Sequence, residues 1–365
     1  MINLQFFPSR QIARYMMRLF LLRSFAVLFA LVIILMTLDL LGNSGDILAH
    51  PGNGDAELWR YVGLRVPQLI ARFLPFSVLL GTLITLATLN QHSEIITMKA
   101  AGISAHQIIA PLILAGIAVA AVHFVFNERV VTRANAALGA WEAVDYGEIP
   151  PRTGVQDDVW LHHGDDLIHV HRVIGRGPGL RLEGVEIYDR AGGTMRQMLE
   201  ARTGRRVAEG WELRDVRLFS VDTGELARME SVVVHEDIRA DQFTLAKVNP
   251  NELDFWALRN TIGQLELADR PVASLTANLW HKISGPLSTV LMPLLAAVAA
   301  FGIARSGALF MRAVIGMALG FAYFVADNFA LAMGNFGAYP PFLAAWGPFL
   351  LFLLVGEAVL VRTEE

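Results

Sequence analysis

Six long apolar runs organise this chain, at about residues 25–41, 69–89, 108–126, 279–303, 308–332 and 342–361. Each approaches the roughly 20 residues a helix needs to cross about 30 Å of hydrocarbon, so the pattern predicts six membrane spans. Between the third and fourth runs the pattern changes. Short segments at 159–161, 167–173, 180–188, 195–201, 205–208, 211–221 and 231–238 alternate apolar and polar residues. Turn-forming Gly, Asp and Pro separate them, as at 176–179, 191–193 and 222–224. Seven short strands at this spacing predict a sandwich, a jelly roll or a partly open barrel. Residues 250–270 read as a helix leading back to the membrane. The expected organisation is three spans in 1–126, a β-rich domain in 127–275 and three spans in 276–365.

Composition sharpens this reading. The chain is 54% hydrophobic and 18% charged, with a mean hydropathy of +0.45, which sets it apart from an ordinary soluble enzyme. Most of the charge lies in the middle domain, where residues 127–275 hold 18 basic and 25 acidic side chains. The net charge of −4 gives no footprint for nucleic acid. With no cysteine, disulfides, thiolate metal sites and cysteine nucleophiles are excluded. The first apolar run is too long for a cleaved signal peptide and lacks a convincing cleavage site.

Orientation follows from the basic residues. Arg10, Arg14, Arg18 and Arg23 precede the first run, and Lys99, Arg305, Arg312 and Arg362 fall on the same side. The opposite short loops carry only Arg60, Arg65 and Arg72. The positive-inside rule then places both termini in the cytoplasm and the large domain outside it, in the periplasm of a Gram-negative cell.

No phosphate loop, H-E-x-x-H or G-x-S-x-G motif is present, so any ATP would be bound by another subunit. The residues between the second and third runs form a compact signal. Ser93 is placed to cap a helix, Glu94 sits in its first turn, Lys99 in its last, and Gly102 can close it. Ile95, Ile96, Met98 and Ala101 would pack this two-turn helix against the bundle or a partner. Such a helix could merely satisfy its own dipole, or it could dock into a motor ATPase.

Ionisable residues near the spans need a reason, because each costs roughly 2.5–3.5 kcal/mol at a helix centre. Asp39, Asp327, Glu357, His123, His281 and Lys282 are such residues. Most lie near span ends, where snorkelling lowers the cost. The alternative is that Asp39 and Asp327 line a polar lateral cavity. Residues 160–171 also concentrate donor groups, with His169 and His171 two apart on one strand face. The sequence fixes no third ligand, and a solvated strand face is the plainer reading, so no metal site is assigned.

In these features the chain resembles the LptF/LptG permeases of the lipopolysaccharide-export ABC transporter. The resemblance rests on Arg14-Tyr15, on Pro67 and the stretch from Pro75 to Gly81, and above all on Ser93-Glu94-Ile95 with residues 100–104. Trp160-Leu161, residues 185–188 and Trp211-Glu212-Leu213 fit as well. Residues 339–346 with Gly356 look more like the LptG branch. The resemblance implies a 3+3 arrangement of spans around an inserted periplasmic domain of jelly-roll type, in a multi-pass protein of the inner membrane. It implies a non-catalytic permease subunit, binding no cofactor itself. Its partners would be an LptB-type ATPase dimer that uses ATP, a sister LptF permease, the periplasmic proteins LptC and LptA, and lipopolysaccharide. The helix bearing Ser93, Glu94, Met98, Lys99 and Gly102 would be the coupling helix, with Glu94 in the position that engages the ATPase. The family's basic lipid contacts near the outer mouth of span one are missing here, since residues 33–38 are uncharged. Lipid-phosphate contacts would then fall to Arg60, Arg65 or Arg72, around a cavity that includes Asp39 and Asp327.

Two readings from other classes remain. A mechanotransmission protein would move an external domain without carrying lipid, but that class has four spans. A membrane enzyme would use His162, His163, Asp165, His169 and His171 as its site.

Overall fold

The computed structural model describes residues 8–148, 156–163, 165–175, 179–191, 194–207, 210–221, 223–234, 248–267, 270–302 and 309–362. The turn residues 176–178, 192, 193 and 222, together with Arg305, lie outside them. So do residues 235–238 of the last predicted strand and the side chains of His162, His163 and Arg312. The chain forms two compact units, one from Met1–Glu148 with Pro250–Glu365, the other Ile149–Asn249.

The first unit is helical. Its elements are α1 (Arg10–Ala49), α2 (Asp55–Gln91), α3 (Glu94–Ala100) and α4 (Ala105–Phe126), which continues through a π-helical turn at Asn127–Val131 into α5 (Thr132–Glu142). After the second unit come α6 (Phe255–Leu267), α7 (Ala273–Ala297) with a π-helical turn at Val298–Gly302, α8 (Leu309–Asn335) and α9 (Pro341–Arg362). Six helical stretches are long and apolar enough to cross a membrane: Arg10–Ala49, Asp55–Gln91, Ala105–Glu142, Ala273–Phe301, Val314–Asn335 and Pro341–Arg362.

Several helices outrun their apolar cores. The 40 residues of α1 span about 60 Å, twice the hydrocarbon thickness. Ser9 starts it by accepting from the Ile12 amide at 3.4 Å. Helix α2 starts at Asp55, where the Glu57 carboxylate accepts from the Gly54 amide at 2.8 Å. Arg60, Arg65 and Arg72 therefore ride on turns of α2 and not in a connecting loop, which corrects the sequence reading. The third helix likewise runs past Phe126 as far as Glu142.

Packing follows the residues that face inward. On α1, Met16, Phe20, Ser24, Leu28, Val32 and Met36 are buried at four-residue spacing, one stripe of a helix. Leu22, Phe25, Phe29 and Leu41 on the other faces are exposed, as a lipid-facing surface requires. Gly81 of α2 meets this stripe so closely that a Cβ there would lie 2.2 Å from Ser24 Oγ and 2.6 Å from Ser24 Cα. Gly316 and Gly320 of α8 form a small-xxx-small pair, accepting Leu83 and Leu79 of α2. Pro75 leaves the carbonyl four residues earlier, Ala71, without its helical donor. His123 of α4 hydrogen-bonds the Ala71 backbone. His123 is buried and does not snorkel.

The second unit is an antiparallel sheet of β1 (Gln156–His163), β2 (Asp166–Ile174), β3 (Arg181–Ala191), β4 (Thr194–Val207), β5 (Gly210–Ser220) and β6 (Leu226–Val234), paired in sequence order. Two predicted strands, 195–201 and 205–208, fall as far as Val207 on one strand, β4, because pairing with β3 and β5 continues through Thr203 and Gly204; Ala208 lies outside the described residues.

A line of interrupted pairing crosses all six strands. The register steps over Asp158, His171, Gly184, Arg202, Asp215 and Glu230. On alternate strands the skipped residue has a left-handed backbone: Asp158 at φ 58°, Gly184 at 64° and Asp215 at 57°. Residues two apart normally share a face. Here Val170 and Val173, Leu182 and Val185, and Leu213 and Val216 are three apart, and all are buried in one core. Each pair straddles the line, so the face alternation resets there without a change of register, and one face stays apolar.

Candidate functional site

The loop helix α3 is held by both sides of its short sequence. Ile95 and Met98 are buried, whereas Ile96, Thr97, Lys99 and Ala100 are exposed. Ile96 and Ala101 therefore face away from the bundle. At the C-terminus the Gly102 amide bonds the Lys99 carbonyl at 3.0 Å, and the Ile103 amide bonds the Met98 carbonyl at 3.1 Å. With Gly102 at φ 82°, this is a Schellman closure.

The N-terminus differs from expectation. Ser93 is left-handed at φ 60° and its side chain makes no capping bond. The chain leaves α2 through bonds from the His92 and Ser93 amides to Thr88 and Asn90 carbonyls. That reversal within two residues fixes the Ser93 backbone, and its carbonyl accepts from Thr97 N and Oγ1 at 3.0 and 2.9 Å. Glu94 lies in the first turn, where its charge suits the helix dipole. Its Oε1 also accepts from Tyr15 Oη at 3.2 Å, a tie to α1 that sequence spacing does not announce. Lys99 Nζ lies 5.1 Å from the centre of the Phe301 ring.

Several ionisable residues of the helical unit are paired across helices. Asp39 of α1 receives Arg65 Nη2 at 2.9 Å and Nε at 3.1 Å, and the buried Tyr61 hydroxyl donates to it at 2.7 Å. Arg65 Nη1 also reaches Gln68 at 2.7 Å. Arg60 lies over the Trp141 ring at 4.4 Å. Arg72 is exposed on α2. His281 Nε2 and Asp327 Oδ2 are 3.0 Å apart, joining α7 to α8. Lys282 Nζ lies 3.2 Å from Glu128 Oε1. The second Glu128 oxygen accepts from the Phe255 amide at the start of α6. Glu128 was missed in the sequence because it falls beyond the third apolar run; its only signal is a carboxylate directly after that run. The structure thus brings Asp39 to Arg65 and Asp327 to His281, while Arg60 and Arg72 have other surroundings.

In the sheet, the histidine-rich segment resolves into a cluster. His169 Nε2 lies 2.6 Å from Asp158 Oδ1, and its Nδ1 lies 3.2 Å from Glu186 Oε2. His171 Nε2 lies 3.2 Å from Glu186 Oε1, and Tyr188 Oη donates to Glu186 Oε2 at 2.8 Å. Trp160 stacks on His169 at 4.1 Å. Burial pushes the Glu186 carboxyl up, but hydrogen bonds from Tyr188, His171 and His169 outweigh it and hold the group below the usual carboxylate range. Asp158 and Glu186 arrive from neighbouring strands, which local spacing in β2 could not reveal.

These features have counterparts among known proteins. The family described as "Lipopolysaccharide export system permease LptF/LptG" matches residues 14–362. The chain belongs to the LptF/LptG family. A relative named lipopolysaccharide export system permease protein LptG, from Escherichia coli (strain K12), is 26% identical over 329 residues, 87% of this chain and 89% of its own length. The Haemophilus influenzae protein of the same name is 25% identical over 324 residues, covering 86% and 89%. Six membrane-capable helices with an antiparallel sheet in mid-chain fit this LptF/LptG-family assignment.

Proposed function

We propose that this chain is the LptG-type permease subunit of an ABC transporter that extracts lipopolysaccharide from the inner membrane. The observation that carries the reading is α3, a closed two-turn helix anchored by Ile95 and Met98 with Ile96, Thr97 and Lys99 facing outward. An LptB-type ATPase dimer docks on that face and supplies ATP hydrolysis, and Glu94 is the principal contact. The chain itself binds no ATP and catalyses no reaction. A sister LptF permease completes the membrane part. Both termini are cytoplasmic and the sheet is periplasmic, so the spans divide 3+3 around it. The sheet acts as a jelly-roll-type trough, and its single apolar face supports this. It passes lipid to LptC and LptA. Shelter is needed because exposing each CH₂ of an acyl chain to water costs about 0.8 kcal/mol. Asp39 with Arg65, Arg60 and Arg72, and Asp327 with His281, contribute the polar groups near the lipid headgroup.

The test is affinity purification from gently solubilised native membranes, with the partners identified by mass. A soluble ABC ATPase and a second six-span protein are expected with the wild type, and Glu94→Ala loses the ATPase while keeping membrane insertion. Unchanged ATPase recovery with Glu94→Ala would sink the coupling role.

A further inference from the structure

The permease reading leaves the cluster on β1–β3 without a task, and its chemistry is specific. Asp158 Oδ1 and Glu186 Oε2 flank the two nitrogens of the His169 ring at 2.6 and 3.2 Å. An ionised carboxylate only accepts, so the shorter contact requires the proton on Nε2. The Nδ1 proton shared with the Glu186 carboxylate is the one a cation can replace, since metal binding to imidazole releases a proton. His171 Nε2 turns toward the other oxygen of the same carboxylate at 3.2 Å. One ligand atom from each of His169, His171 and Glu186 lies within 4.8 Å of the others. Ligand atoms around a tetrahedral zinc ion at 2.0–2.1 Å are about 3.4 Å apart.

We propose that His169, His171 and Glu186 form a binding site for a divalent cation of the zinc type, with Asp158 holding the His169 ring from behind. Two imidazoles and one carboxylate are a borderline donor set that suits Zn²⁺ over Mg²⁺ or Ca²⁺. A carboxylate on the far nitrogen of a ligating histidine fixes the tautomer and raises the basicity of the near one. Trp160, stacked on His169, shields that ligand from water on one side, and His169 is itself buried. His171 is 60% exposed and supplies the side-chain movement that closes the set. The site joins the second and third strands directly and the first through Asp158. Asp158 and His171 both lie on the line of interrupted pairing, so the bound ion clamps the sheet where its ladder is weakest.

The experiment uses the full-length chain in detergent, stripped with a chelator and titrated with Zn²⁺ against a chromogenic competitor. One Zn²⁺ per chain is expected, with a higher melting temperature on binding. His171→Ala, on an exposed side chain, and Glu186→Gln each weaken binding at least tenfold. Asp158→Asn keeps a residue that tolerates the left-handed backbone and weakens binding by about 10–100-fold. X-ray absorption on the loaded protein reports nitrogen and oxygen ligands only. Wild-type protein that takes up no Zn²⁺, or His171→Ala and Glu186→Gln variants that bind it like the wild type while keeping native circular dichroism, would overturn the site.

Discussion

Lys282→Met should destabilise the helical unit more than the double variant Glu128→Gln/Lys282→Met does. The Lys282 and Glu128 side chains are 9% and 12% exposed and lie 3.2 Å apart. Each charge has exchanged water for the other. Among the described residues, removing the ammonium leaves Glu128 with the Phe255 amide as its donor, a buried carboxylate short of compensation. Breaking such a pair from one side costs about 3–5 kcal/mol. Neutralising both partners removes the uncompensated charge, and Gln keeps an oxygen for the Phe255 amide. The double variant should therefore recover about 1–3 kcal/mol relative to Lys282→Met. The assay is thermal unfolding of purified protein in one detergent, with all four members of the cycle. Protease cleavage near α6 gives a second readout, because Glu128 holds the start of that helix. Simple addition of the two single losses would refute the reasoning, since it would mean neither charge depends on the other.

Gly81→Ala places a methyl 2.2 Å from Ser24 Oγ and 2.6 Å from Ser24 Cα, so α1 and α2 must separate, at a cost of about 1–3 kcal/mol in thermal unfolding. Adding Ser24→Gly should not restore stability, because backbone atoms of residue 24 lie inside the clash; full rescue would show that the helices are not this close. Tyr61→Phe removes a 2.7 Å bond to the Asp39 carboxylate and should cost about 1.5–3 kcal/mol, and an unchanged melting temperature would count against it. Arg205's hydrogen bond, aided by the charges of Arg205 and Arg214, holds Glu212 below the usual carboxylate range. Its stabilisation is complete above the unfolded value of about pH 4.3 and fades as pH falls through the lower folded value. The stability gap between wild type and Glu212→Gln should thus hold near neutral pH and narrow as pH falls below about 4.3, and a constant gap would contradict the assignment.

The loop helix was legible because its information is local. Glu94 in the first turn, Lys99 in the last and Gly102 beyond it occupy positions set by helix termini alone. The same reasoning erred at Ser93, where the tight exit from α2 fixed the backbone before the side chain could cap. The spans were legible from apolar length, but their ends were not. Polar turns such as those bearing Arg60 and Arg65 stay helical when capped and packed, and hydropathy does not register them. The strands were found by alternation, yet that alternation resets at Asp158, Gly184 and Asp215, where reading strict periodicity misplaces faces.

By itself the sequence determined the class of protein, six apolar stretches around a β-rich segment, and the residues of a short capped helix. These follow from composition, period and terminal chemistry, all properties of near neighbours in the chain. Tertiary structure alone decided the partners of each charge. Asp39 meets Arg65 across 26 residues, Asp327 meets His281 across 46, and Lys282 meets Glu128 across 154. Glu186 reaches His169 only because two strands pair in one register. A buried charge is stable only beside its counterion, and which residue arrives there is set by how helices and strands pack, which no local pattern encodes.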